Sequence, residues 1–291
     1  MSALPTDLET LAWLRPGRTA VITGGADGIG LAMGLRLAQA GMNLLLADID
    51  AERLAAAVEE VRAAAGGGRI DARVTDVSDV DQVEALRDHA LATFGDVALV
   101  MNNAGIGGGG DVLAPPDRWR RVLGVNLMGV IHGVQAFTQT LLDQDRPAAI
   151  INTGSKQGIT APPGDTAYNV SKAGVKTLTE GLEHTLRNQP GAKVRAHLLV
   201  PGFTFTGITR PRRAEKPPGA WSAGQVVDFA LERMAAGDFY ILCPDNEVSR
   251  ALDNARIAWA AQDLTENRPP LSRWHPDWRE AFAAYLAERG L

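Results

Sequence analysis

Six short apolar runs, at 19–23, 43–48, 70–75, 97–101, 148–152 and 194–200, alternate with longer stretches whose apolar residues recur at helical spacing. Leu31, Leu35 and Ala38 form one such stripe, and Leu54, Val58 and Val61 another. Strands alternating with amphipathic helices predict repeated βαβ units and a parallel sheet. Strands covered on both faces should be apolar without alternation, as Leu44-Leu45-Leu46 is. No internal repeat or low-complexity tract interrupts the pattern. The tract 107–110, four consecutive glycines, reads as a short flexible joint.

Composition narrows the function. The chain has 291 residues, 45% of them hydrophobic, enough for a sizeable core. Its net charge of −5 argues against a nucleic-acid partner. No apolar stretch approaches the roughly 20 residues that span a bilayer. The first 15 residues, with Asp7 and Glu9, lack a basic-then-apolar leader pattern. The single cysteine, Cys243, excludes an internal disulfide framework and a cysteine-based zinc site, and burial should leave it inert. None of the five histidines has a metal-ligand spacing such as HExxH. His132 and His184 fall in helical segments and read as structural. A cytoplasmic enzyme without a metal is the expectation.

The first run ends in Thr23-Gly24-Gly-Ala-Asp27-Gly28-Ile29-Gly30, and a helical segment follows. Glycines in such a turn let the backbone approach a pyrophosphate, and the helix N-terminus offers free N–H groups and a positive dipole end. The second run ends at Asp48. A carboxylate there accepts hydrogen bonds from an adenosine ribose and repels a 2′-phosphate, which favours NAD over NADP. Asp48 could instead only open the turn before the next helix, although Asp50 competes for that capping role.

The spacing Gly-x-x-x-Gly-x-Gly from Gly24 resembles that of the short-chain dehydrogenase/reductase family, in its one-domain branch with Tyr-x-x-x-Lys. Further similarities follow in order over roughly residues 17–243. Asp76-Val77 is similar to the family's adenine contact. Asn102-Asn103-Ala104-Gly105 closes the fourth strand. Asn126 lies on the next helix, and Ser155 follows the fifth strand. Tyr168-Asn-Val-Ser-Lys172 supplies the Tyr-x-x-x-Lys motif. Pro201-Gly202 follows the sixth strand, with Thr204 and Thr206 placed like nicotinamide-contacting residues. The resemblance implies backbone contacts from Asn103, Ala104 and Gly105 along the adenosine ribose. It also implies that Asn126 holds a water joined to Lys172. Asn126 could equally be a buried asparagine bonded to backbone, and Ser155 a turn cap.

The Tyr/Lys pair has its own physical sense. Residues i and i+4 share a helix face, so Tyr168 and Lys172 can project into one site. A free tyrosine has a pKa of about 10 and is a poor base near neutrality. A nearby ammonium, with a cationic nicotinamide ring, should lower it. The phenol then donates a proton to a ketone, or its anion takes one from an alcohol. Ser155 would bond the substrate oxygen.

Three positions depart from the family pattern. Asp27 stands where NADP-dependent relatives often carry a basic residue. Gly154 replaces a serine before Ser155, and the four glycines leave an open rim. The segment from Thr204 to Ala220, rich in Pro, Gly and Arg, reads as a mobile loop. Its Phe203, Phe205 and Trp221 suggest an apolar substrate or a loop anchor, and Arg210, Arg212, Arg213 and Lys216 read as solvated. A helix at about 223–236 and a strand at 239–242 should follow.

The expectation is a Rossmann-type, doubly wound α/β fold with a seven-stranded, mostly parallel sheet. Residues 1–244 would form one dinucleotide-binding and catalytic domain, and 245–291 a helical C-terminal extension. Half of the six tryptophans, Trp259, Trp274 and Trp278, lie in that extension, so it should pack on the domain or a neighbouring subunit, with Arg268 and Arg273 pairing with acids across the contact. By analogy with the family, helices around 117–143 and 165–187 would pair subunits into a homodimer or homotetramer. The expected reaction is hydride transfer between NAD(H) and a small-molecule secondary alcohol or ketone. The alternatives are an NADPH-preferring carbonyl reductase and a non-catalytic dinucleotide-binding regulator.

Overall fold

The computed structural model describes residues 10–207 and 215–291. Asp7, Glu9, Arg210, Arg212 and Arg213 lie outside the described residues. The first half runs β1 (Thr19–Thr23), α1 (Gly28–Gln39), β2 (Asn43–Asp48), α2 (Ala51–Ala64), β3 (Ile70–Val74), α3 (Val80–Phe94), β4 (Leu99–Asn102), α4 (Pro116–Leu123) and α5 (Gly129–Asp143). Next come β5 (Ala148–Thr153), α6 (Gln157–Thr160), α7 (Thr166–Arg187), β6 (Val194–Val200), β7 (Thr204–Phe205) and β8 (Trp221–Ser222). The chain ends with α8 (Ala223–Ala235), β9 (Tyr240–Leu242), α9 (Arg250–Thr265) and α10 (Arg279–Ala287).

Seven strands form one sheet in the order β3-β2-β1-β4-β5-β6-β9, and every neighbouring pair is parallel. The winding reverses between β1 and β4, which opens a crevice at their carboxyl ends. Helices cover both faces. On β2, Leu44 and Leu46 join Met33, Leu37 and Leu231 in one core layer, while Leu45 joins Phe137, Leu141 and Val175 in the other. Alternate residues of a strand point to opposite faces, so one apolar run supplies both layers. Across the sheet centre the buried Asn102 amide donates to Asn152 Oδ1 at 2.8 Å, and Asn152 donates to Thr179 Oγ1 at 3.0 Å.

Three local expectations need correction. The buried stripe of α1 is Ile29, Met33, Leu37 and Ala38 with Gly30 and Gly34; Ala38 is placed as expected, but Leu31 and Leu35 are only partly buried. Glycines let this helix lie close to the sheet, because a methyl group on Gly34 would sit 3.3 Å from Leu46. The loop after β6 is held at its base: β7 pairs with β8, and Trp221 packs edge-on against Phe229 with ring centroids 5.7 Å apart. The tail packs on the domain through Asp253, which pairs with Lys156, and gathers its own aromatics on Trp259. Buried Trp259 meets Trp278, Phe282 and Tyr285 at centroid distances of 6.2, 5.1 and 4.9 Å. Arg268 stacks on Trp259 and Trp278 and pairs with Glu266 inside the tail, not across a contact. No helix among the described residues is long and apolar enough to cross a membrane.

Candidate active site

The crevice is built by the turns that follow β1, β4, β5 and β6. After β1, Gly24 and Gly28 have φ of +64° and +57°, backbone that favours glycine. A methyl group on Gly30 would lie 2.2 Å from the Gly24 carbonyl oxygen, and one on Gly24 would lie 2.9 Å from Ala104 Cα. The turn is therefore a cradle of bare backbone at a helix N-terminus, which suits a dinucleotide's pyrophosphate. Asp27 caps α1 by accepting from Gly28 N at 2.6 Å, and its other oxygen lies 3.9 Å from Arg53. The Ile29 side chain points into the core. Thr206 closes over the cradle, with its Cβ 3.1 Å from where a methyl on Gly28 would stand.

Asp48 has two structural bonds. Its Oδ2 accepts from Ala26 N at 3.2 Å, so it braces the glycine turn from the end of β2. Its Oδ1 accepts from Asp50 N at 3.1 Å, while Asp50 itself caps α2 through Arg53 N. Asp76 accepts from the amide and hydroxyl of Ser78, and the Val77 carbonyl accepts from His132 Nδ1 at 2.9 Å. After β4, Thr23 Oγ1 accepts from the amides of Asn103 and Ala104, and the Asn103 side chain donates to the Thr23 carbonyl. The β1 and β4 turns are thus stapled together. On β6's turn, buried Thr204 donates its hydroxyl to the Gly202 carbonyl at 3.1 Å.

Tyr168 lies in the first turn of α7, which Asp165 caps. Its hydroxyl is hydrogen-bonded to Ser155. Ser155 Oγ also accepts from Gln157 N at 3.2 Å, so it is a turn cap as well. Lys172 is buried one turn on; its Nζ donates to the Thr153 carbonyl at 2.7 Å and stands 5.8 Å from the Tyr168 ring centroid. Burial pushes Lys172 down to about 8. It pushes Tyr168 up, against the Ser155 hydrogen bond and with help from the Asp165 charge. The expected lowering of Tyr168 therefore does not hold in the protein by itself: desolvation and the Asp165 charge outweigh the Ser155 hydrogen bond. Near neutrality the phenol keeps its proton.

Asn126 does not lie on a regular helix. It is fully buried in a π-helical turn (Gly124–Met128) between α4 and α5. Such turns occur often at functional sites. Its Oδ1 accepts from Ile106 N and its Nδ2 donates to Ile106 O, both at 2.8 Å, and Nδ2 also reaches Ser171 Oγ at 3.3 Å. A methyl on Gly105 would fall between Asn126 Oδ1, at 3.5 Å, and Lys172 Nζ, at 3.7 Å.

Two groups of residues escaped the sequence reading. Asp165 accepts from Gly108 N, Gly110 N and Tyr168 N at 3.3, 3.0 and 3.4 Å. Gly109 lies so close that a methyl on it would stand 2.6 Å from Ala167 Cβ. The glycine tract read as a flexible joint is pinned to the tyrosine helix, and the capping carboxylate does the pinning. The other group centres on Lys156, next to Ser155. Its Nζ lies 2.6 Å from Asp253 on α9 and 3.4 Å from Asp245, which accepts from Phe203 N after β6. Sequence offered only one signal for it, the scarcity of lysine. Cys243 is buried, which pushes its thiol up to about 12.

The family model for short chain dehydrogenases matches residues 18–217. A 1-deoxy-11-beta-hydroxypentalenate dehydrogenase of Streptomyces exfoliatus is 33% identical over 264 residues, covering 88% of this chain and 94% of that protein. A 3beta-hydroxysteroid dehydrogenase of Eggerthella lenta is 38% identical over 197 residues, 66% of this chain and 73% of that one. A Burkholderia phymatum short chain dehydrogenase/reductase, solved in complex with NAD, superposes with a TM-score of 0.79 at 38% identity, covering 88% of this chain and 96% of that one. The chain belongs to the short chain dehydrogenase family, as an oxidoreductase acting on CH–OH groups.

Proposed function

We propose that this enzyme interconverts a secondary alcohol and a ketone with NAD(H), using Tyr168 as the acid/base. The observation that carries the reading is the Ser155–Tyr168–Lys172 arrangement at the mouth of the β1/β4 crevice. When bound, the nicotinamide gives or takes the hydride. Tyr168 passes its proton to the ketone oxygen during reduction and recovers it during oxidation. Ser155 donates to the same oxygen and offsets charge as it develops there. Lys172, charged below about 8, supports the tyrosinate that remains. Asn126 fixes the rim at Ile106 and lies beside the lysine.

The cofactor is held by Gly24, Asp27, Gly28, Ile29 and Gly30 at the cradle, Asp76 and Val77 at the adenine, Asn103, Ala104 and Gly105 at the ribose, and Pro201, Gly202, Thr204 and Thr206 at the nicotinamide end. Asp48 selects NAD over NADP. Its two backbone bonds leave part of its oxygen lone pairs for a ribose, and its charge repels a 2′-phosphate. NAD bound to the Burkholderia relative supports this choice. The substrate class is that of the hydroxy-bearing relatives, a cyclic secondary alcohol. Residues 1–244 act as the catalytic domain, 245–291 as an appended helical unit, and the enzyme works in the cytoplasm as a homodimer or homotetramer.

The test is kcat/KM with NADH and NADPH on a panel of cyclic ketones. One charge-assisted ribose bond, worth roughly 1.5–3 kcal/mol, predicts at least about a tenfold preference for NADH. Asp48→Ala should narrow it. Equal or better efficiency with NADPH would overturn the cofactor assignment.

A further inference from the structure

Two arginines beside the Lys156 cluster have no acceptor. Arg256 on α9 and Arg273 in the turn (Ser272–Trp274) after it make no hydrogen bond or ion pair among the described residues, and Arg256 Nε is buried. Both line one small open recess of about 50 Å³, together with Lys156, Asp253 and Ile257. The Arg273 guanidinium carbon stands 4.7 and 5.6 Å from the ring centroids of Trp274 and Phe282, contacts that take up none of its N–H groups in a hydrogen bond.

Charge in the recess does not balance. Lys156 already takes up Asp253, at 2.6 Å. Asp245 is engaged with the amides of Phe203, Glu247 and Val248 as well as with Lys156. Three cations thus share two carboxylates, and one positive charge is left over on the arginine side. Asp253 is the carboxylate that acts on both arginines, and it already pairs with Lys156; burial and the neighbouring Arg256 outweigh it and push Arg273 down to about 10. A half-buried guanidinium with no acceptor is unfavourable, and its planar fork matches carboxylate and phosphate oxygens.

We propose that this recess is an anion site, in which Arg256 and Arg273 together hold a carboxylate or phosphate group. The place of the site gives that anion two sources. The recess is floored by α6, which follows Ser155 directly, and Lys156 Nζ stands 3.0 Å from where a methyl on Gly202 would be. The anion is either the charged end of the substrate or a small effector held behind the active-site turns. Binding itself does not depend on the dehydrogenase assignment.

Inorganic phosphate and succinate, titrated at ionic strength fixed with NaCl, should each raise the Tm and change tryptophan emission saturably, because Trp274 rests on Arg273. In Arg256→Gln or Arg273→Gln the apparent Kd should weaken about tenfold or more, the least that losing a charge-assisted fork entails. Arg279→Gln, at an exposed position on α10, should match wild type. If Arg273→Gln does not fold, Arg273→Lys keeps the charge without the fork and should show the same loss. A wild-type response no larger than that to NaCl, or variants that bind like wild type, would overturn the site. Kinetics with a keto acid and its methyl ester separate the sources. For a substrate carboxylate, phosphate competes with the acid, and Arg256→Gln raises KM for the acid alone. For an effector, phosphate binds without competing against either.

Discussion

Replacing Asp165 separates two effects of one carboxylate, its hydrogen bonds and its charge. Its oxygens accept three backbone amides, Gly110 N and Tyr168 N at Oδ1 and Gly108 N at Oδ2. Losing a helix N-cap costs about 1 kcal/mol. The two rim amides, one of them long, add roughly another 1 kcal/mol between them in a half-exposed setting. In a chain of this size 1 kcal/mol shifts Tm by about 2–4 °C, so Asp165→Ala should melt about 4–8 °C lower. Asp165→Asn retains an acceptor oxygen for Gly110 and Tyr168 and loses the bond to Gly108, so its Tm should fall by about a quarter as much. Its effect on titration is the distinguishing one. The Asp165 charge holds the Tyr168 proton on, alongside burial. Lys172 is the cation facing the ring from the same helix; Ser155 and the rim residues 106–110 are uncharged, and Lys156 is spent on Asp245 and Asp253. Removing the negative charge lowers the Tyr168 pKa, raises the phenolate fraction at a given pH, and moves the acid limb of alcohol oxidation to lower pH. The assay is kcat/KM for oxidation against pH for wild type, Asp165→Asn and Asp165→Ala. An unmoved limb, or one moved to higher pH, refutes the electrostatic argument; an unchanged Tm in Asp165→Ala refutes the clamp.

Two further perturbations follow from the packing. Gly30→Ala puts a methyl 2.2 Å from the Gly24 carbonyl oxygen, so the cradle must open at a cost of about 1–3 kcal/mol; calorimetry should show NAD(H) binding weakened by about tenfold or more. Ending the chain at residue 278 removes Phe282 and Tyr285 from Trp259, so tryptophan emission should shift to the red and Tm fall, while NAD(H) affinity holds.

What sequence revealed, and what it did not, divides along sequence distance. β1, its glycine turn and α1 are contiguous, so their chemistry is written within a dozen residues. The two core layers were visible in Leu44-Leu45-Leu46 because a strand buried on both faces shows no alternation. The contact face of α1 was partly misassigned because counting leucines overlooks glycine: Gly30 lies against the Gly24 turn, and Gly34 against Leu44 and Leu46 of β2. The glycine tract looked free because its anchor, Asp165, lies more than fifty residues away and had an obvious local role as a cap. Lys156 meets Asp253 only after the chain has completed β6, β9 and the start of α9. Tryptophan content signalled an ordered tail, yet composition could not say that Trp259 would collect Trp278, Phe282 and Tyr285 around itself. The raised Tyr168 pKa was hidden for a related reason: motif spacing brings Lys172 close, but only the fold buries the phenol.

The most direct test of the mechanism is turnover in Tyr168→Phe, which deletes the phenol oxygen and keeps the ring. Measured with NADH and a ketone that wild type reduces, kcat should fall by roughly 10²–10⁴, the usual share of general acid–base catalysis. NADH affinity, set by the glycine cradle and the β4 and β6 turns, should stay within about twofold. Turnover near the wild-type rate would contradict the role given to Tyr168, and with it the account of how this site moves a proton.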